Sequence, residues 1–196
     1  MQKIATLGSL GEMWNGFQVR SAIADVPEAP HRLITLGDVV DGVIAFDRPA
    51  RMDLGDRIQR QALLPGDVLL RTRGANYKAA VVPKLDMPTV ATAPLCVLRL
   101  RAGAALPEYV AWWINRDEVQ ESLATSAWGS YIPTVPKEAF ARLEIALPDL
   151  PVQRQIAEIQ RLRSVERELA ARLGVLRSRH VDAALEQAIL NQAGKR

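Results

Sequence analysis

Apolar and polar positions along this chain follow two rhythms. Through roughly its first three quarters, short stretches alternate with a period of two; from Gln153 onward the period lengthens to that of a helix. The stretch "HRLITLGDVVDGVIAF" predicts strand, turn, strand: Leu33, Ile34, Val39 and Val40 are strand-type residues, and Gly37-Asp38 and Asp41-Gly42 are turn pairs. In "RPARMDLGDRIQRQALLPGDVLLRTRG" a short amphipathic segment leads to the turn "LPGD". The strand "VLLRTR" follows, with Leu69, Arg71 and Arg73 on one face. Gly74-Ala75-Asn76 is a loop and "YKAAVV" the returning strand. "LCVLRLR" alternates as well, placing Val97, Arg99 and Arg101 on one face and Cys96, Leu98 and Leu100 on the other.

"LPEYVAWWINRDEVQESLATSA" switches to helical spacing. Pro107 suits a first helical turn, Val110, Trp113 and Ile114 form an apolar stripe, and burial tendencies put Trp112 and Trp113 in the core. "WGSYIPTVPKEAF" predicts an exposed loop and then a short helix. "LEIAL" is the last strand, closed by Pro148 and Pro151, because proline cannot continue a central strand. In the helix beyond, Leu162, Leu169, Leu176, Ala183 and Leu190 recur every seven residues. The second column a coiled coil needs fails at Glu166, His180 and Gln187, so the pattern is an apolar stripe for one or two partner helices, not a long regular coiled coil. Ile159, Leu162, Leu169, Leu173, Leu176 and Leu190 are its candidate contact residues. Gly174 interrupts it at a cost of about 1 kcal/mol relative to Ala; it either permits close helix contact or divides the helix. The fold class expected is α+β: a mixed, β-rich domain over residues 1–150, then one long helix over 151–196 whose stripe needs covering from outside itself.

Composition excludes several classes. With 48% hydrophobic and 24% charged residues, a globally disordered chain is ruled out. No apolar run reaches the roughly 18 residues of a membrane span, and "MQKIATLGSLGEMWNG" lacks the apolar core of a signal peptide. The single cysteine, Cys96, sits in "APLCVLRL" without zinc-type companions and is read as a small buried hydrophobe. These features fit a reducing cytoplasm.

Charge is unevenly placed. Residues 1–150 hold 16 Lys/Arg against 17 Asp/Glu, while residues 151–196 hold nine against five. Within the first part, residues 68–101 carry Arg71, Arg73, Lys78, Lys84, Arg99 and Arg101 against Asp86 alone. Such a cluster is either a solvated face or the footprint of a polyanion.

Signatures of chemistry are missing. There is no Gly-x-Gly-x-x-Gly after a strand and no Walker-type glycine loop; "GSLGEMWNG" has the wrong spacing. His31 and His180 are the only histidines and lie far apart. No nucleophile elbow, metal triad or paired-carboxylate signature stands out, and Asp38, Asp41 and Asp67 beside glycines are explained by turns.

Four stretches resemble the DNA specificity subunits of type I restriction–modification systems. "LLPGDVLLRTRG" is similar to that family's Leu-x-x-Gly-Asp strand leading to a glycine-containing loop. "GSYIPTVPKEAFARLEIALPDLPVQRQIAEI" resembles the segment closing a target recognition domain, where a strand ends in Pro-x-Leu-Pro, then Gln, then Ile. The long helix resembles the family's spacer helix, and "LEQAILNQAGKR" its end, without the usual apolar residue after the Ala. The likeness covers nearly the whole chain but only one recognition domain and one spacer helix, so it is to half a subunit, whether a natural half or a fragment.

The resemblance implies a target recognition domain that reads double-stranded DNA and a helix that sets half-site spacing and docks DNA methyltransferase subunits, with the ATP-dependent restriction subunit as a further partner. It implies no catalysis and no cofactor on this chain; S-adenosylmethionine would sit on the methyltransferase, which flips adenine from the duplex. A twofold pairing of two such helices, antiparallel, would give a homodimer reading an interrupted palindrome. Arg71, Arg73, Asn76, Tyr77 and Lys78 on the strand–loop, with Arg99 and Arg101 nearby, are the expected DNA-binding residues; Ser130, Tyr131 and Lys137 on the later loop come second. Two rivals stand beside this: a DNA-binding adaptor or regulator with no methyltransferase partner, and a self-contained nuclease with dispersed acidic residues.

Overall fold

The structure, a computed structural model, describes residues 3–19, 26–46, 50–58, 60–129 and 131–193, with backbone alone for 56, 57, 186 and 188–193. The chain divides into two compact units, Met1–Arg154 and Gln155–Arg196. The architecture is α+β, β-rich sheets followed by a long helix.

The first unit is built on an antiparallel sheet in the order β2-β10-β7-β8, formed by β2 (Gly11–Asn15), β7 (Val68–Arg71), β8 (Ala79–Val81) and β10 (Leu95–Leu100). β10 is central: Val97 faces Trp14 on one side and Leu69 on the other. Its residues Leu95 to Leu98 are all buried, so both faces of this strand are covered. Alternation in sequence does not become alternation in exposure where layers pack on both sides. A second sheet joins β3 (His31–Ile34) to β6 (Arg51–Met52) antiparallel and to β9 (Thr89–Ala91) in parallel. Ile34, Val39, Leu69, Val82 and Val97 form one apolar cluster, and Leu33, Leu54, Ile58 and Val90 a second.

The hairpin of β4 (Val39–Val40) and β5 (Val43–Ile44) turns on Asp41 and Gly42, both at positive φ (49° and 80°), the geometry that makes Asp-Gly a two-residue hairpin turn. The predicted helix after Pro107 is two helices, α1 (Pro107–Ile114) and α2 (Asp117–Thr125). The break has a cause at the sheet. β8 presents an unpaired edge, and two side-chain amides from the helical segment take it up. Asn115 Oδ1 accepts from Ala79 N–H at 2.7 Å while its Nδ2 donates to Ala79 O at 2.9 Å. Gln120 Oε1 accepts from Tyr77 N–H at 3.0 Å and its Nε2 donates to Tyr77 O at 3.2 Å. Tyr77 lies two residues before β8, so the two amides take up main-chain groups of the strand's first residue and of the chain leading into it.

Short α3 (Lys137–Arg142) leads into β11 (Glu144–Leu147), which pairs antiparallel with β1 (Lys3–Thr6) at the far end of the sequence. The last helix, α4 (Leu150–Ala193), starts one residue before the expected 151 and three before the helical apolar pattern begins at Gln153; Pro151 lies in its first turn, where a missing N–H costs nothing. Gln153 is only 2% exposed. Its Oε1 accepts from Leu106 N–H at 2.9 Å, and its Nε2 donates to Pro148 O at 2.8 Å. One buried amide thus ties the helix start both to the segment before α1 and to the proline ending β11.

Taken by itself, the second unit is one uninterrupted helical stretch. Gly174 does not divide it. Ile159, Leu162, Leu169, Leu173 and Leu176 are all exposed. Leu190, the remaining member of the expected contact set, lies among residues whose side chains are not described. Glu158–Arg161 and Glu168–Arg172 are local ion pairs one turn apart. No described helix is long and apolar enough to cross a membrane.

Candidate nucleic-acid interface

The basic residues singled out by sequence have different fates. Arg71, the last residue of β7, donates through Nη1 to Leu36 O at 3.1 Å and to Val39 O, fastening β7 to the chain entering β4. Lys78 donates through Nζ to Asn115 O at 3.0 Å, at the end of α1. Arg99 grips Asp67 with two parallel bonds (2.8 and 2.7 Å), donates also to Ala62 O, and lies 5.0 Å over the Trp14 ring. The bonded Asp67 carboxylate raises its pKa still further. Tyr77 is 4% exposed, and burial pushes its phenol pKa up. Tyr77 is therefore buried rather than on an outward surface, while Arg71, Lys78 and Arg99 are partly exposed and each is also bonded within the fold. Asn76 is partly buried, and its Oδ1 has no partner among the described residues.

The local basic cluster is also less bare than its sequence window suggests. Asp67 lies one position outside that window and neutralises Arg99; Asp86, inside it, is held to Arg32 at 2.6 Å, which lowers the Asp86 pKa. Cys96 is buried, and desolvation pushes its thiol up to about 12, so it is an inert core atom.

Arg73, Arg101, Tyr131 and Lys137 remain accessible. Arg73 lies beyond the end of β7, exposed, with Nε donating to Thr134 Oγ1 at 3.3 Å. Arg101 is exposed just past β10 and donates to Ser9 O; with Arg99 it lines an open cleft beside Leu64 and Pro107. Tyr131 is 94% exposed, and Lys137 opens α3 half-buried. Ser130 lies outside the described residues. Arg73 and the Trp128–Thr134 loop come together, because Arg73 and Trp128 each bridge to Thr134. Lys84 and Arg101 stand apart from that group in the chain's pairing.

Sequence reasoning missed Trp128 and Ile132, which reach solvent from this loop. Their signal was present: a tryptophan between a helix end and a Gly, followed by two prolines, has no helix or strand to bury it. Trp112 and Trp113 are half-buried, stacking with Tyr109 while the Arg116 guanidinium lies 4.7 Å from the Trp113 ring. Among the described residues, no three His, Cys, Asp or Glu side chains converge where they could hold a metal.

No protein-family profile matches the chain, and no curated protein does. Solved structures do, among them the following three. One, from work on complex assembly and conformational transition of the type I R-M system, superposes with a TM-score of 0.62 at 20% identity, covering 86% of this chain and 43% of that one. The type I restriction–modification S subunit from M. genitalium gives 0.56 at 16% identity, over 83% and 38%. The HsdS subunit from Thermoanaerobacter tengcongensis gives 0.58 at 20% identity, over 85% and 44%. At these identities the likeness is one of fold, and the chain spans about two fifths of the length of each. The fold of this chain is that of the type I restriction–modification S subunits, over less than half of their length.

Proposed function

We propose that this chain is the non-catalytic, sequence-specific DNA-recognition component of a type I restriction–modification assembly. The observation that carries this reading is the fold shared with S-subunit structures over more than four fifths of the chain. The first unit reads one half-site of double-stranded DNA. Arg73, Arg101 and Tyr131 are the exposed members of the expected set, and Arg71, Lys78, Arg99 and Lys137 are partly exposed; cations at a surface of this kind fix register on phosphates or read guanine edges.

The second unit supplies contacts to other helices. Its leucines are exposed at intervals of three, four and seven residues, as a helix seeking a helical partner presents them. Two copies paired about a twofold axis present their readers as inverted repeats, so the target is a split palindrome. DNA methyltransferase subunits, with S-adenosylmethionine bound on them and not on this chain, complete the assembly, and an ATP-dependent restriction subunit joins it; all of this belongs in the cytoplasm.

The test is co-expression of the full chain with a type I methyltransferase subunit. The purified complex is offered a randomised duplex pool and S-adenosylmethionine. Enrichment and methylation of one interrupted palindrome is the expected result. A chain that enriches a DNA sequence but never co-purifies with the methyltransferase is an independent adaptor instead. A chain that cuts duplex alone in the presence of Mg²⁺ is an enzyme, and the proposal falls.

A further inference from the structure

The loop between α2 and α3 is closed on itself and clamped to the sheet. Trp128 N–H donates to Thr134 O at 3.1 Å, and Thr134 N–H returns the bond to Trp128 O at 2.9 Å. On its other side, Val135 N–H donates to Thr72 O at 2.8 Å, and Gly74 N–H donates to Pro133 O at 3.3 Å. Val135 is fully buried beneath. Gly129 sits at φ +111°, and a Cβ there would come 3.1 Å from Ile132 O, so the loop needs glycine at this point. A loop fixed on several sides has no need to leave large apolar groups in water. This one leaves three within five residues: Trp128 (68% exposed), Tyr131 (94%) and Ile132 (46%).

The charge around them says what they meet. From Ser122 to Lys137 the sequence has no Asp or Glu. Arg73 is exposed beside the loop, and apart from its Nε bond to Thr134 its N–H groups find no partner among the described residues. An apolar knob with a cation beside it and no acid in its segment is complementary to a stacked polyanion, whose faces are aromatic and whose rim is phosphate.

We propose that Trp128, Tyr131 and Ile132 form an apolar wedge that bears on base faces of the DNA duplex and unstacks one step, while Arg73 holds an adjacent phosphate. This rests on the DNA-reading function proposed above and adds a second mode of specificity to it. A wedge is sensitive to how easily a step opens, so it favours a flexible pyrimidine–purine step without forming hydrogen bonds to it.

The experiment uses the full chain and the duplex it enriches from a randomised pool, carrying 2-aminopurine at successive positions. Wild-type protein is expected to raise fluorescence at one step, the mark of an unstacked base. The Trp128→Ala, Tyr131→Ala pair is expected to lose that signal and bind about ten- to a hundredfold more weakly, the range expected for one or two lost base–aromatic stacks. Its thermal unfolding and the salt dependence of its binding stay as in wild type. Trp128→Phe, Tyr131→Phe restores both signal and affinity, which a folding defect would not explain. Arg73→Ala keeps the fluorescence signal but lowers the salt slope by about one counterion. Unchanged affinity and fluorescence in the double alanine variant overturns the wedge while leaving DNA reading intact. If that variant binds DNA normally but no longer co-purifies with the methyltransferase, the loop is a protein contact and the wedge is equally overturned. Failure of wild type to enrich any duplex, alone or with the methyltransferase, removes both proposals together.

Discussion

The two units of this chain use their polar and apolar side chains in opposite ways. In the first unit polar groups are turned inward: Asp67 grips Arg99, Arg71 reaches the carbonyls ahead of the β4–β5 hairpin, Asn115 and Gln120 cap the edge of β8, and Gln153 anchors the helix start. In the second unit every side chain from Arg161 to Leu185 is exposed, and the polar pairs are local, as Glu158–Arg161 is. The difference teaches that stability and association are separable here. The first unit is stitched by long-range hydrogen bonds around short strands; the helix leaves its apolar stripe exposed, as the proposed association requires.

The largest effect that would break this division is on the helix. Leu169→Ala, Leu173→Ala and Leu176→Ala together are expected to cut self-association or partner binding by a thousandfold or more, since each buried leucine contributes on the order of 2 kcal/mol. Light scattering across a concentration series checks it, with the unfolding midpoint of the first unit unmoved. If the triple variant associates as wild type does, the stripe is not the interface. The next effect belongs to the first unit. Asp67→Ala strips Arg99 of its carboxylate and Leu64 N–H of its acceptor, which lies at 2.8 Å. Asp67 is nearly fully buried but Arg99 is a third exposed, so water recovers part of the loss. About 3 kcal/mol of destabilisation is expected in urea unfolding, with DNA preference unaltered in the fraction that stays folded. A changed base preference would return Arg99 to the reading surface.

How much of this was visible in the sequence depends on what each pattern needs. The strand before Gly74, the Asp41-Gly42 hairpin and the β11–proline–helix junction are signalled by residues next to one another, and they are where the sequence places them. β1 and β2 are four and five residues long, and their meaning lies in partners far along the chain, β11 and β10, which local alternation cannot name. The break at Asn115 was hidden for the same reason, because it serves the edge of β8 36 residues earlier. Strand alternation placed the arginines on shared faces but did not show that Arg71 and Arg99 also bond to carbonyls and a carboxylate distant in sequence. The exposed loop that Trp128 opens was legible, but the choice of Ser130, Tyr131 and Lys137 within it followed polar chemistry and passed over its apolar members.

A smaller test sharpens the account of that sheet edge. Asn115→Ala removes the partner of both main-chain groups of Ala79, which is itself buried. The cost expected is about 2 kcal/mol, and hydrogen exchange at the Ala79 amide should rise ahead of its neighbours on β7. Exchange that rises uniformly would mean that the edge opens only with the whole unit, and that the amide clamp is not a separate fastening.

The smallest effect lies at Gly174, and its sign carries the information. A Cβ there meets nothing within 4 Å, and the residue is helical. In an unpartnered helix Gly174→Ala should therefore stabilise, by up to about 1 kcal/mol, through the backbone freedom that glycine otherwise loses. Circular dichroism melting of the full chain at low concentration reads this term. At high concentration, or with the methyltransferase present, a second term enters. If a partner helix passes close to Gly174, the added methyl holds it off, and association weakens while the helix itself gains. If the partner lies only along Leu162, Leu169 and Leu176, the gain in helix stability carries through and association tightens slightly. Opposite signs for melting and association thus identify Gly174 as the point of closest approach; the same sign for both means that the leucines alone make the contact.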